Sequence, residues 1–232
     1  MRFLLLFLLA ATPAAAQLGA RTAVTYFGVG ANLTDNGALT DRLGDAGYGD
    51  LEVGGAGLAT GSYQFRERLV FGIEGHTTPS ETATAGAFAA RLSGRYALAN
   101  VGYLVYSAPR LKLYPLVGAG YGDLTLRLYE DQDADFGDVL QSPRRGAELA
   151  SRGWLLNVGV GGDYLVPLRR IDDRMRGLAL GLRVGYLAEL SSGSWDLFSE
   201  NEALDSPDAT LAGPYVRLLI GFGSSRVGDP GD

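Results

Sequence analysis

The amino-acid sequence predicts an all-β protein, an antiparallel up-and-down transmembrane β-barrel of about eight strands. Three observations predict it. Apolar residues recur at period two along most of the chain. Short and long connections alternate between these segments. In each segment one face is almost free of charge, while the other carries Gly, Asn, Arg, Asp and Glu. The composition agrees, with 34 Gly, 12 Tyr and 9 Phe among 232 residues and 47% hydrophobic residues. Such glycine and aromatic content does not suit an ordinary helical or α/β enzyme domain, and the apolar content excludes a disordered chain. With no Cys there is no disulfide scaffold, thiolate metal site or thiol nucleophile. A net charge of −6 with a single lysine, Lys112, argues against nucleic acid as a partner.

Residues 1–16 have the three-part layout of a cleaved secretory signal peptide. Arg2 supplies the positive start, Phe3 to Ala11 is an apolar run, and Ala14-Ala15-Ala16 precedes Gln17. The apolar run is about half the ~20 residues that a spanning helix needs. The barrel is assigned to residues 17–223 and a short periplasmic tail to residues 224–232.

The strands follow in order. Thr25, Phe27, Val29, Ala31 and Leu33 alternate with Tyr26, Gly28, Gly30 and Asn32. Leu51 to Gln64 is the least defined segment, because Gly and Ala fill both faces. Leu69, Phe71 and Ile73 alternate with Val70, Gly72, Glu74 and His76. Ala99, Val101, Tyr103 and Val105 alternate with Leu98, Asn100, Gly102 and Leu104. Leu111, Leu113, Val117, Ala119 and Tyr121 form the fifth face; Leu124, Leu126 and Leu128 then change phase, which predicts a bulge after Asp123. Trp154, Leu156, Val158, Val160, Tyr164 and Val166 oppose Asn157, Gly159, Gly161 and Asp163. Leu178, Leu180, Leu182, Val184, Tyr186, Ala188 and Leu190 oppose Gly181, Arg183 and Gly185. Val216, Leu218, Ile220 and Phe222 oppose Arg217, Leu219 and Gly221.

Short turns are expected at Phe65–Arg68, Ser107–Arg110 and Pro167–Arg176. Long loops are expected over about 34–50, 78–93, 130–152 and 191–210. Strict alternation places all short turns at one end of an antiparallel barrel, as in barrels with short periplasmic turns and long extracellular loops. A soluble barrel of the lipocalin type has a similar strand number. It would need a Leu/Val interior and an exterior of Gly and Asn, where exterior glycine only weakens the strands. The charge-bearing, glycine-rich face therefore lines the lumen and the greasy face meets lipid.

On these residues the chain resembles the small bacterial outer-membrane β-barrels of the OmpA, OmpX and OmpW kind, from about Thr22 to Phe222. The run Val216-Arg217-Leu218-Leu219-Ile220-Gly221-Phe222 resembles that family's C-terminal assembly signal, with Val216, Leu218, Ile220 and Phe222 as its apolar positions. It departs from the family in continuing for ten residues beyond Phe222. The resemblance implies the bacterial outer membrane, lipopolysaccharide and other outer-membrane lipid as surroundings, and the barrel-assembly machinery as a partner. It also implies three roles: a structural or interaction protein, a narrow channel for small or apolar solutes of the OmpW kind, or a lipid A-modifying enzyme. The enzyme would use the single histidine, His76, with Ser80 and Glu81 near it in sequence, but no motif brings them together. A structural or interaction role without catalysis or cofactor is the principal expectation, because about eight strands leave room only for side chains.

The remaining motifs are weak. Glu130 to Asp138 is rich in carboxylates, but counting from Asp131 the sixth and twelfth positions of a calcium loop are Phe136 and Ser142. No metal site is assigned. Divalent cations at the acidic loops stay open as an alternative to a hydrated surface. The Gly-rich runs lie inside strands and are not nucleotide loops, and Asn32-Leu33-Thr34 is too short a glycosylation match to carry weight. The polar face supplies the sharpest expectation. Glu74, Arg183 and Arg217 fall at similar depth along their strands, and charges buried there are costly unless paired. The sequence predicts an ionic cluster in the lumen in which Glu74 neutralises Arg183, Arg217 or both, with Asp163 as a second acid nearer the periplasm.

Overall fold

The computed structural model describes residues 22–34, 36–49, 56–78, 80–131, 146–171, 174–190, 195–197, 201–202 and 207–226. The signal peptide, most of the acidic run and the last residues of the tail lie outside them. Among the described residues, twelve strands follow in chain order: β1 Thr22–Asn32, β2 Ala56–Arg66, β3 Leu69–Thr77, β4 Glu81–Ala85, β5 Phe88–Tyr103, β6 Tyr106–Ser107, β7 Leu111–Glu130, β8 Gly146–Ile171, β9 Arg174–Glu189, β10 Trp195–Leu197, β11 Asn201–Glu202 and β12 Gly213–Arg226. A helix, α1, spans Gly37–Asp45.

Eight of these strands close a ring. Each of β1, β2, β3, β5, β7, β8, β9 and β12 pairs antiparallel with the next, and β12 returns to β1. Following one row of backbone partners from Thr22 leads through Phe65, Val70, Gly102, Leu116, Gly159, Gly185 and Tyr215 to Asn32. The row returns ten residues along β1. With ~3.3 Å per residue and ~4.8 Å between strands, that stagger tilts the strands by roughly 40° and sets a backbone radius of about 8 Å. A tube of this width is filled by its own side chains.

The exterior is apolar from strand to strand. Phe27 and Val29 of β1, Phe71 and Ile73 of β3, Val158 and Val160 of β8, Leu182 and Val184 of β9, and Leu218 and Ile220 of β12 are all exposed. On β8 this belt runs from Trp154 to Tyr164. Ten residues at ~3.3 Å and a tilt of roughly 40° span about 25 Å along the barrel axis, the height of the apolar band of membrane barrels. Above it the surface changes abruptly. Tyr121 and Trp154, edge to face at 5.5 Å, are followed on the same strands by Asp123 and Arg152. Arg95 donates to Asp123 at 2.6 Å and Arg127 to Glu148 at 2.8 Å on the same outer face.

The elements above this boundary correct the expected loops. The first loop contains α1, which buries Leu39 and Leu43 over the barrel mouth. The second is a hairpin, since β4 pairs with the outer half of β5. The third is shortened by the extension of β7 to Glu130 and β8 back to Gly146, and the fourth carries β10 and β11. The bulge expected after Asp123 is absent: β7 keeps an unbroken register with both neighbours. What changes there is the solvent. Leu124 and Leu126 stay on the inner face and are buried, while Asp123 and Arg127 face out into water. Along the belt the greasy face is outward; beyond it the same strand is greasy inward.

The short-turn end also differs in detail. A register shift lies between Pro167 and Arg169, and β8 and β9 continue to Ile171 and from Arg174, leaving a tighter turn than Pro167–Arg176. β12 continues past Phe222 to Arg226, with Ser224 opposite Arg176 and Arg226 opposite Arg174. The last strand of the ring therefore extends past residue 223.

Candidate functional site

The lumen is layered. At the short-turn end Phe65, Val70, Leu104, Leu116, Leu165 and Leu219 form an apolar cluster. At the long-loop end Leu92, Leu124, Leu126, Trp195 and Leu211 form a second cluster beneath Leu39 and Leu43 of α1. Between them lies a polar middle built from inward-facing residues of all eight ring strands.

Two ion pairs organise that middle. Arg183 of β9 is fully buried and donates to Asp163 of β8 at 2.8 Å. Arg183 faces Gly161 across the ladder, so Asp163 is its diagonal neighbour one step toward the short-turn end. The two carboxylate oxygens of Asp163 accept from the hydroxyls of Tyr26 and Tyr114, each at 2.6 Å. The guanidinium lies over the Tyr63 ring at 4.5 Å, and also donates to the backbone carbonyls of Gly162 and Leu182. Arg217 of β12 donates to Glu74 of β3 at 2.7 Å, across the tube, and stacks over Tyr215 at 3.6 Å. Glu74 also accepts from Tyr63 at 2.7 Å and meets His76 Nε2 at 3.1 Å.

The pairs are joined into one network. Tyr63 lies under Arg183 and donates to Glu74, so it links the two halves. Asn100 donates to the Tyr63 hydroxyl, Asn157 donates to Asn100, and Tyr215 donates to Asn157. Tyr96 accepts from Asn32 and Arg217 and stacks on His76 at 4.5 Å. The glycines of the inner face make space for these rings. A Cβ at Gly161 would come within 2.6 Å of the Tyr114 ring, and one at Gly72 would strike the Tyr63 ring.

The structure brings the four residues together, and of the expected alternatives it shows these pairings. Glu74 takes Arg217, whereas Arg183 goes to Asp163 and touches Glu74 only through Tyr63. The tyrosines and asparagines that complete the network are not among the residues the sequence singles out. Tyr26 shares the alternation of Gly28, Gly30 and Asn32, so its inward direction can be read there, but not its partner. His76 is bound to Glu74 and stacked on Tyr96, while Ser80 lies on the connection to β4 and Glu81 in β4 itself. Residues 132–138 of the acidic run lie outside the described residues. Among the described residues no group of three His, Asp or Glu is placed to hold a metal ion.

The closed ring of eight antiparallel strands, its apolar outer belt and its polar middle decide the architecture. The fold is that of a small outer-membrane β-barrel. No protein-family model and no curated protein matches the chain in sequence. Among solved structures it is similar to Ail, the attachment invasion locus protein of Yersinia pestis. In complex with the heparin analogue sucrose octasulfate, that structure gives a TM-score of 0.46 at 10% identity, covering 87% of this chain and 97% of Ail. Ail alone gives 0.44 at 11% identity, covering 88% and 99%. A major outer membrane protein from Thermus thermophilus gives 0.45 at 12% identity, again covering 88% and 99%.

Proposed function

We propose that this chain is a closed barrel of the bacterial outer membrane, exported through a cleaved signal peptide, with a structural or interaction role rather than that of a pore. The observation that carries the reading is the filled lumen. Two ion pairs, both inward-facing and buried, stand at mid-depth between two apolar clusters, and their formal charges cancel. The pocket beside His76, Tyr96 and Arg217 measures only about 10 Å³, room for one water molecule at most. The network closes the tube and ties strands on opposite sides of the ring to one another. Outer-membrane lipid and lipopolysaccharide are the surroundings proposed for the belt. The barrel-assembly machinery is the proposed reader of Val216, Leu218, Ile220 and Phe222, all outward and exposed.

Planar-bilayer recording tests this directly. The purified protein is expected to insert without stepwise ion conductance. Stable open steps at low voltage would overturn the closed reading and favour a narrow channel.

A further inference from the structure

At the short-turn end, the outer face of the β8–β9 hairpin carries a like-charge pair that no ion pair among the described residues neutralises. The register shift between Pro167 and Arg169 places Arg169 directly opposite Arg176. Like charges opposed on one face of a sheet are unfavourable, and bulges commonly serve to re-aim a side chain. Both arginines are exposed, and neither has an ion pair among the described residues. Asp172 and Asp173 lie outside those residues.

The pair borders a groove of about 440 Å³ whose lining includes Leu168, Arg169, Ile171, Arg176, Phe222 and Ser224. Phe222 and Leu168 are the most exposed of the large apolar side chains among the described residues, at 72% and 71%. Position relative to the belt is set by register. Phe222 pairs with Leu178, which pairs with Val166, and this row is apolar. The next outward row toward the short-turn end is Ser224, Arg176 and Arg169, about 7 Å further along the strands. Guanidinium groups one row beyond this last apolar row of the outer face stand at headgroup depth, and their planar donor sets match phosphate oxygens.

We propose that this groove is a site for an anionic glycerophospholipid of the periplasmic leaflet, its phosphate bridging Arg169 and Arg176 and its acyl chains lying on Phe222 and Leu168. This site rests on the outer-membrane barrel proposed above, with its short turns on the periplasmic side. The bound phosphate removes the repulsion between the two arginines, and the apolar lining selects a lipid over a free anion.

The test is native mass spectrometry of the detergent-purified protein with equimolar phosphatidylglycerol and phosphatidylcholine. The wild type is expected to retain phosphatidylglycerol preferentially. The Arg169→Gln/Arg176→Gln variant should lose about thirtyfold of that preference, from roughly fivefold for each arginine near an anionic surface. Arg66→Gln/Arg110→Gln, at the other short turns, should keep it. Equal retention of the two lipids by the wild type, undiminished preference in the first variant, or an equal loss in the second would overturn the proposal. Displacement of the lipid by millimolar inorganic phosphate would overturn it as well, assigning the arginines to a free anion. Heat-modifiable gel migration of each sample reads the barrel separately. A wild type that migrates identically before and after boiling would refute the barrel reading itself, whatever lipid is retained.

Discussion

Replacing Asp163 with Asn removes one negative charge from the middle of the lumen without changing side-chain volume. Arg183 is left fully buried, with the carboxylate it donates to gone and the carbonyls of Gly162 and Leu182 still accepting from it. Asn also offers one acceptor oxygen where two phenols, Tyr26 and Tyr114, each donate to a carboxylate oxygen. Breaking a buried pair from one side costs about 3–5 kcal/mol, because the surviving charge keeps its desolvation penalty. Asp163→Asn is therefore expected to lose about that much in equilibrium urea unfolding from lipid vesicles. The companion variant Arg183→Met removes the guanidinium and keeps an apolar stem. The double variant should recover at least ~2 kcal/mol relative to the sum of the singles. Glu74 with Arg217 should couple to a similar degree, while Glu74 with Arg183, which touch only through Tyr63, should couple less. A loss below about 1 kcal/mol for Asp163→Asn, or strict additivity in the double variant, would refute the reasoning.

The inner glycines should be intolerant for a steric reason. Gly161→Val displaces the Tyr114 ring, and Gly72→Val the Tyr63 ring, each at a cost of about 1–3 kcal/mol by the same unfolding assay. The pair of Arg127 and Glu148 is exposed above the belt, so Glu148→Gln should change stability by less than about 1 kcal/mol. Leu39→Asn/Leu43→Asn removes the buried face of α1. That variant should make residues 37–45 sensitive to added protease while the heat-modifiable migration of the barrel stays unchanged.

The parts of this architecture that are legible in the sequence share one cause. Period two assigns every strand residue to one of two faces, so alternation places Glu74, Arg183, Arg217 and Asp163 together on the polar face, which lines the lumen once the apolar face meets lipid. The meeting of Asp163 with Arg183 follows from the β8–β9 register alone, whereas Glu74 and Arg217 stand three strands apart and meet only through the stagger of the ring. The reversal of phase at Leu124 looks like a bulge, because alternation reports which face is apolar and not which face is inner. The two coincide differently in lipid and in water. Helix α1 escapes notice for its length: nine residues with two buried leucines give little periodic signal. The register shift at Pro167 falls where the sequence reads as a turn, and alternation says nothing of a turn.

The central claim is that the greasy face is outside and meets lipid, and the two tryptophans report on it from opposite sides. Trp154 is 57% exposed on the outer belt at its long-loop edge, and Trp195 is 3% exposed within the cluster above the lumen. Quenching by phospholipids brominated at defined depths, measured on Trp195→Phe and Trp154→Phe variants in vesicles, distinguishes them. Trp154 should be quenched most strongly by lipids brominated near the headgroup and less by those brominated deep in the chains, while Trp195 should be nearly indifferent to both. Quenching of Trp154 by aqueous acrylamide alone, with no response to any brominated lipid, would contradict an outward, lipid-facing belt.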